Sequence, residues 1–200
     1  DGNANGITNV TISEGVTFIG NFAFAGCSKV ENLNLNATIT YDVDVFSFIF
    51  RHLGLDSATE TCSVVVGDNV TKIPANLFYC LDTVNNANGI TSVVIGSKVE
   101  TIGEMAFAGC ASIASLTLGS GLKTIKDGAF SSLFSLPTIV IPDNVETIGE
   151  MAFSANIAAT TITIGSCVTS IGNQAFALCV SVQDINYNAN ISTDYTAESA

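Results

Sequence analysis

The sequence predicts a repeat solenoid that is β-rich, with a parallel sheet on one face and little helix, and two observations carry this prediction. A unit of 23 residues repeats with little variation between Val93 and Tyr187. Two sets of residues return at this interval, namely Phe107, Phe130, Phe153 and Phe176, and Ile95, Leu118, Ile141, Ile164 and Tyr187. A period of this size is typical of a solenoid, in which each coil buries its apolar residues against the next coil.

Each repeat begins with a predicted strand, because inward and outward residues alternate in triplets such as Ile162-Thr163-Ile164. Stacking the coils pairs these strands in parallel, about 4.8 Å apart. A Gly or Pro such as Gly119 or Pro142 then turns the chain out of the sheet. Residues such as Val145 and Ile148 fill the interior from the next side, and an Ala-Phe pair supplies the largest buried side chain. Since no helical periodicity exceeds one turn, we expect extended or short 3₁₀ segments on the outer side.

The predicted domain organisation is a single solenoid of about seven 23-residue coils over residues 1–187. We expect an irregular insertion at 38–62 and an Asn-rich loop at 85–89. Residues 188–200 form a tail or the start of a further unit. The chain starts at Asp1, without Met or an apolar leader, which we interpret as the start of a processed or excised piece.

One assignment stays open within the irregular insertion. The repeated phenylalanine is Phe24 in the first coil and Phe78 in the coil after the insertion. Between these two coils, either Phe46 or Phe50 takes the same place, and the spacing does not decide between them.

The repeat motifs resemble those of the BspA-type leucine-rich repeat. The resemblance lies in the pattern Val-x-x-Ile-Gly followed by Ala-Phe and then Cys-x-x-Ile or Leu, and residues 145–153 match it almost letter for letter. The fit is weakest between Thr38 and Cys62. The resemblance implies a leucine-rich repeat horseshoe of the α/β class. It also implies a secreted or surface-exposed protein, from a family implicated in adhesion to host matrix or other cells and without enzymatic activity.

Charge and hydropathy exclude several classes of partner. There are 18 acidic against 6 basic residues and a net charge of -12, which repels phosphates and anionic lipids. We therefore expect neither nucleic acid nor a membrane surface as a partner. The mean hydropathy of +0.47 is high, and the stretch 151–183 carries no charged residue. Its apolar residues nevertheless fall at repeat positions and it contains turn signals at Gly165 and Gly172, so we predict a coil rather than a transmembrane helix.

Three cysteines share one repeat position, three residues after the phenylalanine: Cys27, Cys110 and Cys179. Cys80 lies one residue before that position. Disulfides or a metal site are one interpretation, and a ladder of buried free thiols is the other. We favour the thiols, because Leu133 and Asn156 occupy the position elsewhere, and leucine-rich repeats use Cys or Asn there to meet backbone polar groups. Cys62 and Cys167 lie off the ladder, and a bridge from Cys62 to another cysteine stays open.

No residue constellation predicts catalysis. His52 is the single histidine, and no activated nucleophile, phosphate-binding loop or metal signature accompanies it. We interpret His52 as a loop residue and expect no enzymatic activity and no cofactor.

An acidic residue recurs at one repeat position in three successive coils, at Glu104, Asp127 and Glu150. Because these carboxylates should stack at the strand spacing, a Ca²⁺ site between them is one interpretation. A solvated acidic stripe is the interpretation that we favour. The neighbouring position alternates between Glu100, Lys123 and Glu146, which predicts a weak ladder of surface ion pairs.

Sequons for N-glycosylation occur at Asn9, Asn36, Asn69 and Asn190. This Asn-, Ser- and Thr-rich composition gives about as many by chance, so the sequons support secretion only weakly.

The predicted binding surface is the outward side of the parallel sheet, called the sheet face below. Its small, hydroxyl-rich and nearly uncharged residues include Asn34, Ser92, Ser115, Thr117, Thr138, Thr161, Thr163 and Asn186. Such a face suits polar contact with a protein or a glycan over a wide area, without a deep pocket for a small molecule. The alternative is that these are merely strand-compatible surface residues.

The sequence therefore predicts a non-catalytic extracellular or cell-surface protein that binds a protein or glycan or mediates adhesion. The alternative function is a structural component of a surface layer, sheath or filament. This alternative rests on the lack of a charged or helical cap at either end, because the terminal strands could then pair end to end between molecules.

Overall fold

The computed structural model of the protein describes residues 6–44, 47, 49–54, 61–80 and 89–188. Parts of the irregular insertion at 38–62, nearly all of the Asn-rich loop at 85–89 and the tail from residue 189 lie outside the described residues. The strands in the described chain are β1 (Asn9–Ile12), β2 (Asn32–Leu35), β3 (Cys62–Val66), β4 (Lys72–Ile73), β5 (Ile90–Ile95), β6 (Thr101–Ile102), β7 (Ser115–Thr117), β8 (Thr124–Ile125), β9 (Thr138–Val140), β10 (Thr147–Ile148), β11 (Thr161–Ile164), β12 (Ser170–Ile171) and β13 (Asp184–Tyr187).

The first side of the solenoid carries the predicted parallel strands, one from each coil. They form two ladders, β1-β2-β3-β5-β7 and β9-β11-β13, and every pairing is parallel. The side chains alternate between core and solvent along the strands, as in β11, where Ile162 and Ile164 are buried. The structure thus confirms the predicted β-rich leucine-rich repeat solenoid.

A proline accounts for the interruption between β7 and β9. In neighbouring coils, the residue just before the strand donates its N–H to the preceding coil, as Ala114 does to the Thr91 carbonyl at 2.9 Å. Thr160 donates in the same way to the Pro137 carbonyl at 2.9 Å. Pro137 occupies this position itself and has no N–H, so the coil at the start of β9 lacks this bond.

The second side is another parallel sheet, which the sequence did not predict as strands. Its two-residue strands follow one another in the order β4-β6-β8-β10-β12. The apolar residues on this side point inward as predicted, and Ile102 and Ile148 are completely buried. Two residues are too few for an alternating pattern, so periodicity alone predicts only the burial.

The third side holds a column of seven stacked phenylalanine rings, called the Phe column below: Phe24, Phe50, Phe78, Phe107, Phe130, Phe153 and Phe176. Neighbouring ring centroids lie between 4.9 Å and 5.6 Å apart. Phe50 stacks on Phe24 on one side and on Phe78 on the other. Phe50 therefore takes the repeated phenylalanine's place in the irregular coil.

The backbone beside the Phe column departs from ordinary extended or helical conformation. Left-handed φ values occur two residues before the phenylalanine, as at Met105 and Met151 (both 51°), and two residues after it, as at His52 (60°) and Ser132 (61°). Each such residue costs roughly 1 to 2 kcal/mol, which its surroundings must offset. Hydrogen bonds to the following coil offset this conformational cost, for example the bond from the Phe107 N–H to the Ala129 carbonyl at 2.9 Å.

The described residues contain no helix, and accordingly none that could cross a lipid bilayer. The uncharged stretch 151–183 contains β11 and β12 joined by turns. This stretch therefore forms part of the solenoid wall.

Candidate binding surface

The strand register arranges the sheet face in two straight columns. The first column runs through Asn9, Asn32, Ser63, Ser92 and Ser115 and, beyond the Pro137 interruption, through Thr138, Thr161 and Asp184. The second column runs through Thr11, Asn34, Val65, Val94 and Thr117 and then through Val140, Thr163 and Asn186. All eight residues named for this face lie in these columns, and none of them is buried.

The polar groups of the sheet face are largely free to bind a ligand. The hydroxyls of Ser115, Thr138 and Thr161 have no hydrogen-bond partner among the described residues, which contrasts with Thr160, whose hydroxyl donates to the Pro137 carbonyl. One hydrogen bond links the first two coils within the first column, where the Asn32 amide donates to Asn9 Oδ1 at 3.0 Å.

The second column of the sheet face contains three valines and is therefore more apolar than the first column. Val65, Val94 and Val140 are all exposed, and Val140 is 57% exposed. Asp184 is the single charged residue in the two columns. The face therefore offers hydroxyl groups beside methyl groups on a flat surface with little charge.

The cysteine ladder consists of free thiols, as all six cysteines are unbridged. Cys110 Sγ donates to the Phe78 carbonyl at 3.2 Å, and Cys179 Sγ donates to the Phe153 carbonyl at 3.3 Å. Cys80 and Cys110 are buried, whereas Cys27 and Cys179 are only half-buried. This position therefore satisfies backbone carbonyls of the interior.

Asn156 occupies the cysteine position of its coil and, like the thiols, donates hydrogen bonds to buried backbone carbonyls. Its amide donates to the carbonyls of Phe130 at 3.1 Å and of Phe153 at 2.8 Å. Its Oδ1 accepts the Leu133 N–H at 2.8 Å, so every polar atom of this fully buried side chain is paired.

Cys62 lies off the ladder and is completely buried. Burial raises the pKa of the Cys62 thiol to about 12. Burial also raises the pKa of Cys27 and of Cys179, though both remain partly accessible. Cys167 is exposed and is the most accessible of the described thiols.

The acidic stripe of Glu104, Asp127 and Glu150 is exposed to solvent. Asp127 Oδ1 accepts the Glu150 backbone N–H at 2.8 Å, which ties two successive coils together. Among the described residues, no three His, Cys, Asp or Glu side chains converge as a metal site requires. The Ca²⁺ interpretation thus remains a prediction without a coordination geometry behind it.

The structure contains two ion pairs among the described residues. One of them belongs to the predicted ladder of surface ion pairs at Glu100, Lys123 and Glu146. It joins Lys123 Nζ and Glu100 Oε1 at 3.8 Å. The other, between Lys72 Nζ and Asp42 Oδ1 at 2.8 Å, was not foreseen from the sequence. Donation from Lys72 and from the Ala75 N–H lowers the pKa of Asp42.

Three of the four sequons lie in the described chain. The Asn69 amide is exposed and donates to Glu14 Oε2 at 3.1 Å, while Asn36 is half-buried. Asn9 begins β1 and contacts Asn32 through its side chain. Asn190 lies outside the described residues.

A family model matches nearly the whole chain. The BspA type Leucine rich repeat region matches in six copies over residues 2–87 and 82–196. Comparison with curated proteins gives no match.

Several solved structures resemble the chain. The leucine rich repeat protein TpLRR of T. pallidum is 27% identical, with a TM-score of 0.57 over 63% of this chain and 58% of that chain. A leucine rich cell surface protein from Faecalibacterium prausnitzii A2-165 is 20% identical, with a TM-score of 0.59 over 94% of this chain and 62% of that chain. The pneumococcal vaccine antigen PcpA is 16% identical, with a TM-score of 0.55 over 92% of this chain and 57% of that chain. The latter two likenesses show the fold alone, and the chain spans about three fifths of the length of these proteins.

Proposed function

The chain belongs to the BspA-type leucine-rich repeat family, and on that premise we propose that it is a non-catalytic cell-surface or extracellular protein that binds a protein or glycan. The observation that supports this proposal most directly is the sheet face. Its two columns present hydroxyls, such as those of Ser115 and Thr138, that have no partner among the described residues, beside exposed valines. A solenoid repeats such groups at a fixed spacing, so that many weak contacts add up over an extended partner.

The polar columns favour a partner that itself offers hydrogen-bonding groups along an extended surface. A polypeptide segment or a glycan chain has this property, whereas a small molecule needs an enclosing pocket. Adhesion is the expected biological use of such contact. The net charge of -12 repels polyanions, so nucleic acids and anionic membranes are disfavoured as partners.

The experiment is a binding screen of the 200-residue protein against matrix proteins and a glycan array. The test variant carries Ser115→Lys, Thr138→Lys and Thr161→Lys on the first column. Its control carries Ser120→Lys, Ser166→Lys and Ser170→Lys, three exposed positions off the sheet face with the same change of charge. Loss of a hit in the test variant alone supports the sheet face, and equal binding by both variants rejects it.

Unpaired backbone groups favour end-to-end self-association as a second candidate, which would suit a surface layer, sheath or filament. On the third side, the N–H groups of the regular coils donate to the following coil, as Phe130 does to the Ala152 carbonyl at 2.8 Å. At the last described coil the N–H groups of Gln174, Phe176 and Leu178 have no partner in the described chain. At the first coil the same holds for the carbonyls of Asn21, Ala23 and Ala25, so the two edges are complementary.

Sedimentation velocity over a wide concentration range tests this second candidate. A concentration-dependent series of end-to-end species supports it, and a single monomer at all concentrations rejects it. Leu178→Lys with Val180→Lys places charges on the last coil, where these side chains are 67% and 75% exposed, and should abolish the series. Phe134→Lys with Ile157→Lys is the control, because these side chains are exposed in the middle of the solenoid.

A further inference from the structure

A groove of about 450 Å³ opens on the third side, away from both sheets. Met105 and Met151 form its walls, and Gly128 lies between them in the intervening coil. Asp127 and Glu150 stand at its rim, and Ser131 adds a hydroxyl. Its volume falls within the range of ligand sites, which runs from about 300 to 1,000 Å³.

The groove exists because one side chain is missing from a column. Met105, Gly128 and Met151 occupy the same repeat position, two residues before the phenylalanine, and all have left-handed φ values of 51°, 60° and 51°. A Cβ built on Gly128 would meet Met105 Cγ at 3.3 Å, which is part of a flexible side chain. The groove is therefore a notch the width of one coil between two thioether side chains.

The rim of the notch carries negative charge that no ion pair neutralises. The ion pairs of the described chain are Lys72 with Asp42 and Lys123 with Glu100, and neither includes Asp127 or Glu150. Asp127 and Glu150 are both exposed, and the Asp127 carboxylate is fixed in place by the Glu150 N–H. An apolar channel with a fixed anionic rim complements an alkyl chain that ends in a cation.

We propose that this notch binds a lysine side chain of a protein partner, with its methylenes between Met105 and Met151 and its ammonium at Asp127 and Glu150. The proposal is independent of the sheet face, which lies on another side of the solenoid, so either can fail without the other. Thioether groups adapt readily to an unbranched alkyl chain. The ammonium finds carboxylate and serine oxygens within the same notch.

Lysine can use the oxygens of both carboxylates at this rim, whereas a bidentate contact from arginine is open only at Glu150. A guanidinium prefers a planar, bidentate contact with both oxygens of one carboxylate. Asp127 Oδ1 already accepts the Glu150 N–H at 2.8 Å, so that carboxylate cannot offer both oxygens freely. An ammonium is a compact group with three rotatable donors, and it can use the remaining oxygen together with a neighbouring one.

The test is an NMR titration of the ¹⁵N-labelled 200-residue protein with an acetylated and amidated Gly-Gly-Lys-Gly-Gly peptide. Companion titrations use the same peptide with arginine and with acetyl-lysine in the central place. We expect saturable shifts at the amides of Gly128, Ser131 and Glu150, weaker shifts with arginine, and none with acetyl-lysine. Shifts spread over the whole acidic surface, or equal shifts with all three peptides, would overturn the proposal.

Two variants probe the notch itself. Gly128→Met fills it with the residue found at the same position in both neighbouring coils, so we expect an intact fold and at least about tenfold weaker binding. Asp127→Asn keeps the acceptor for the Glu150 N–H but removes the charge, and should also weaken binding. Asp143→Asn is the matched control, because Asp143 Oδ1 likewise accepts an N–H of the next coil, from Ser166 at 2.8 Å. Unchanged binding by a folded Gly128→Met, or equal weakening by Asp127→Asn and Asp143→Asn, would contradict a site at the notch.

Discussion

Phe50 stacks on Phe78 with their ring centroids 4.9 Å apart and their planes 17° apart, although 28 rather than 23 residues separate them. Regular coils give nearly the same geometry, as for Phe130 and Phe153 at 5.2 Å and 20°. The Phe column therefore keeps its stacking across a spacing that is five residues longer than the repeat. Because the rings from Phe78 to Phe153 are buried, we expect the Phe column to contribute strongly to stability.

Phe130→Ala should destabilise the protein by about 3 to 5 kcal/mol, because Phe130 is completely buried between two other rings. Urea unfolding followed by circular dichroism measures this loss. Phe134→Ala is the control, since Phe134 is 46% exposed and lies only four residues away. Equal losses in the two variants would show that the Phe column is not the main packing element.

Asn156→Ala should cost about 2 kcal/mol or more, because it leaves the buried Leu133 N–H and the Phe130 carbonyl without partners, while the Phe153 carbonyl keeps only Cys179 Sγ. Asn156→Cys should recover part of this loss, since Cys110 and Cys179 donate to phenylalanine carbonyls from the same repeat position. Thermal and urea unfolding of both variants check the order of stability. An Asn156→Cys variant no more stable than Asn156→Ala would show that a thiol cannot replace the amide here.

The repeat alone was enough to predict much of the fold. The 23-residue period places Phe107 to Phe176 in one column and the strand triplets in one sheet, because both follow from identical coils stacked in register. It could not decide between Phe46 and Phe50, since the irregular coil departs from the period. It also missed the second sheet, whose strands have only two residues each.

The surface was less predictable than the core. Alternation along the strands was enough to place Ser115 and Thr161 in one outward column. The notch at Gly128 was missed although Met105, Gly128 and Met151 share one repeat position, because periodicity does not show that the missing side chain opens a groove to solvent. The Lys72–Asp42 pair escaped as well, because it joins residues 30 apart across the irregular insertion.

Alkylation should distinguish the thiols sharply. At pH 8 iodoacetamide should modify Cys167 first, because Cys167 is exposed. Cys62 should react only on unfolding, since it is buried and its pKa of about 12 leaves about 10⁻⁴ of it as thiolate at that pH. Peptide mass mapping measures both rates, and denaturant provides the control in which all six cysteines react. Equally fast labelling of both residues, or a disulfide in the peptide map, would contradict the structure.

Calcium should leave the melting temperature unchanged. Glu104, Asp127 and Glu150 are exposed, and no metal-binding group of side chains occurs in the described chain. Differential scanning fluorimetry with millimolar Ca²⁺ and with a chelator checks this expectation. A rise in melting temperature with Ca²⁺ that is lost in Asp127→Asn would instead establish the stripe as an ion site.

Acid should remove the stabilising contribution of Asp42. The hydrogen bond from Lys72 and then that from the Ala75 N–H lower the pKa of Asp42 below its ordinary value of 3.8. Because the folded state favours the charged form, the contribution is present above pH 3.8 and is lost as the pH falls through the lower folded value. The pair is exposed, so we expect a coupling of only about 0.5 kcal/mol at pH 7. A double-mutant cycle of Asp42→Asn and Lys72→Met, measured by urea unfolding at pH 7 and pH 2, gives this coupling directly. A coupling that persists at pH 2 would mean that the carboxylate charge is not its source.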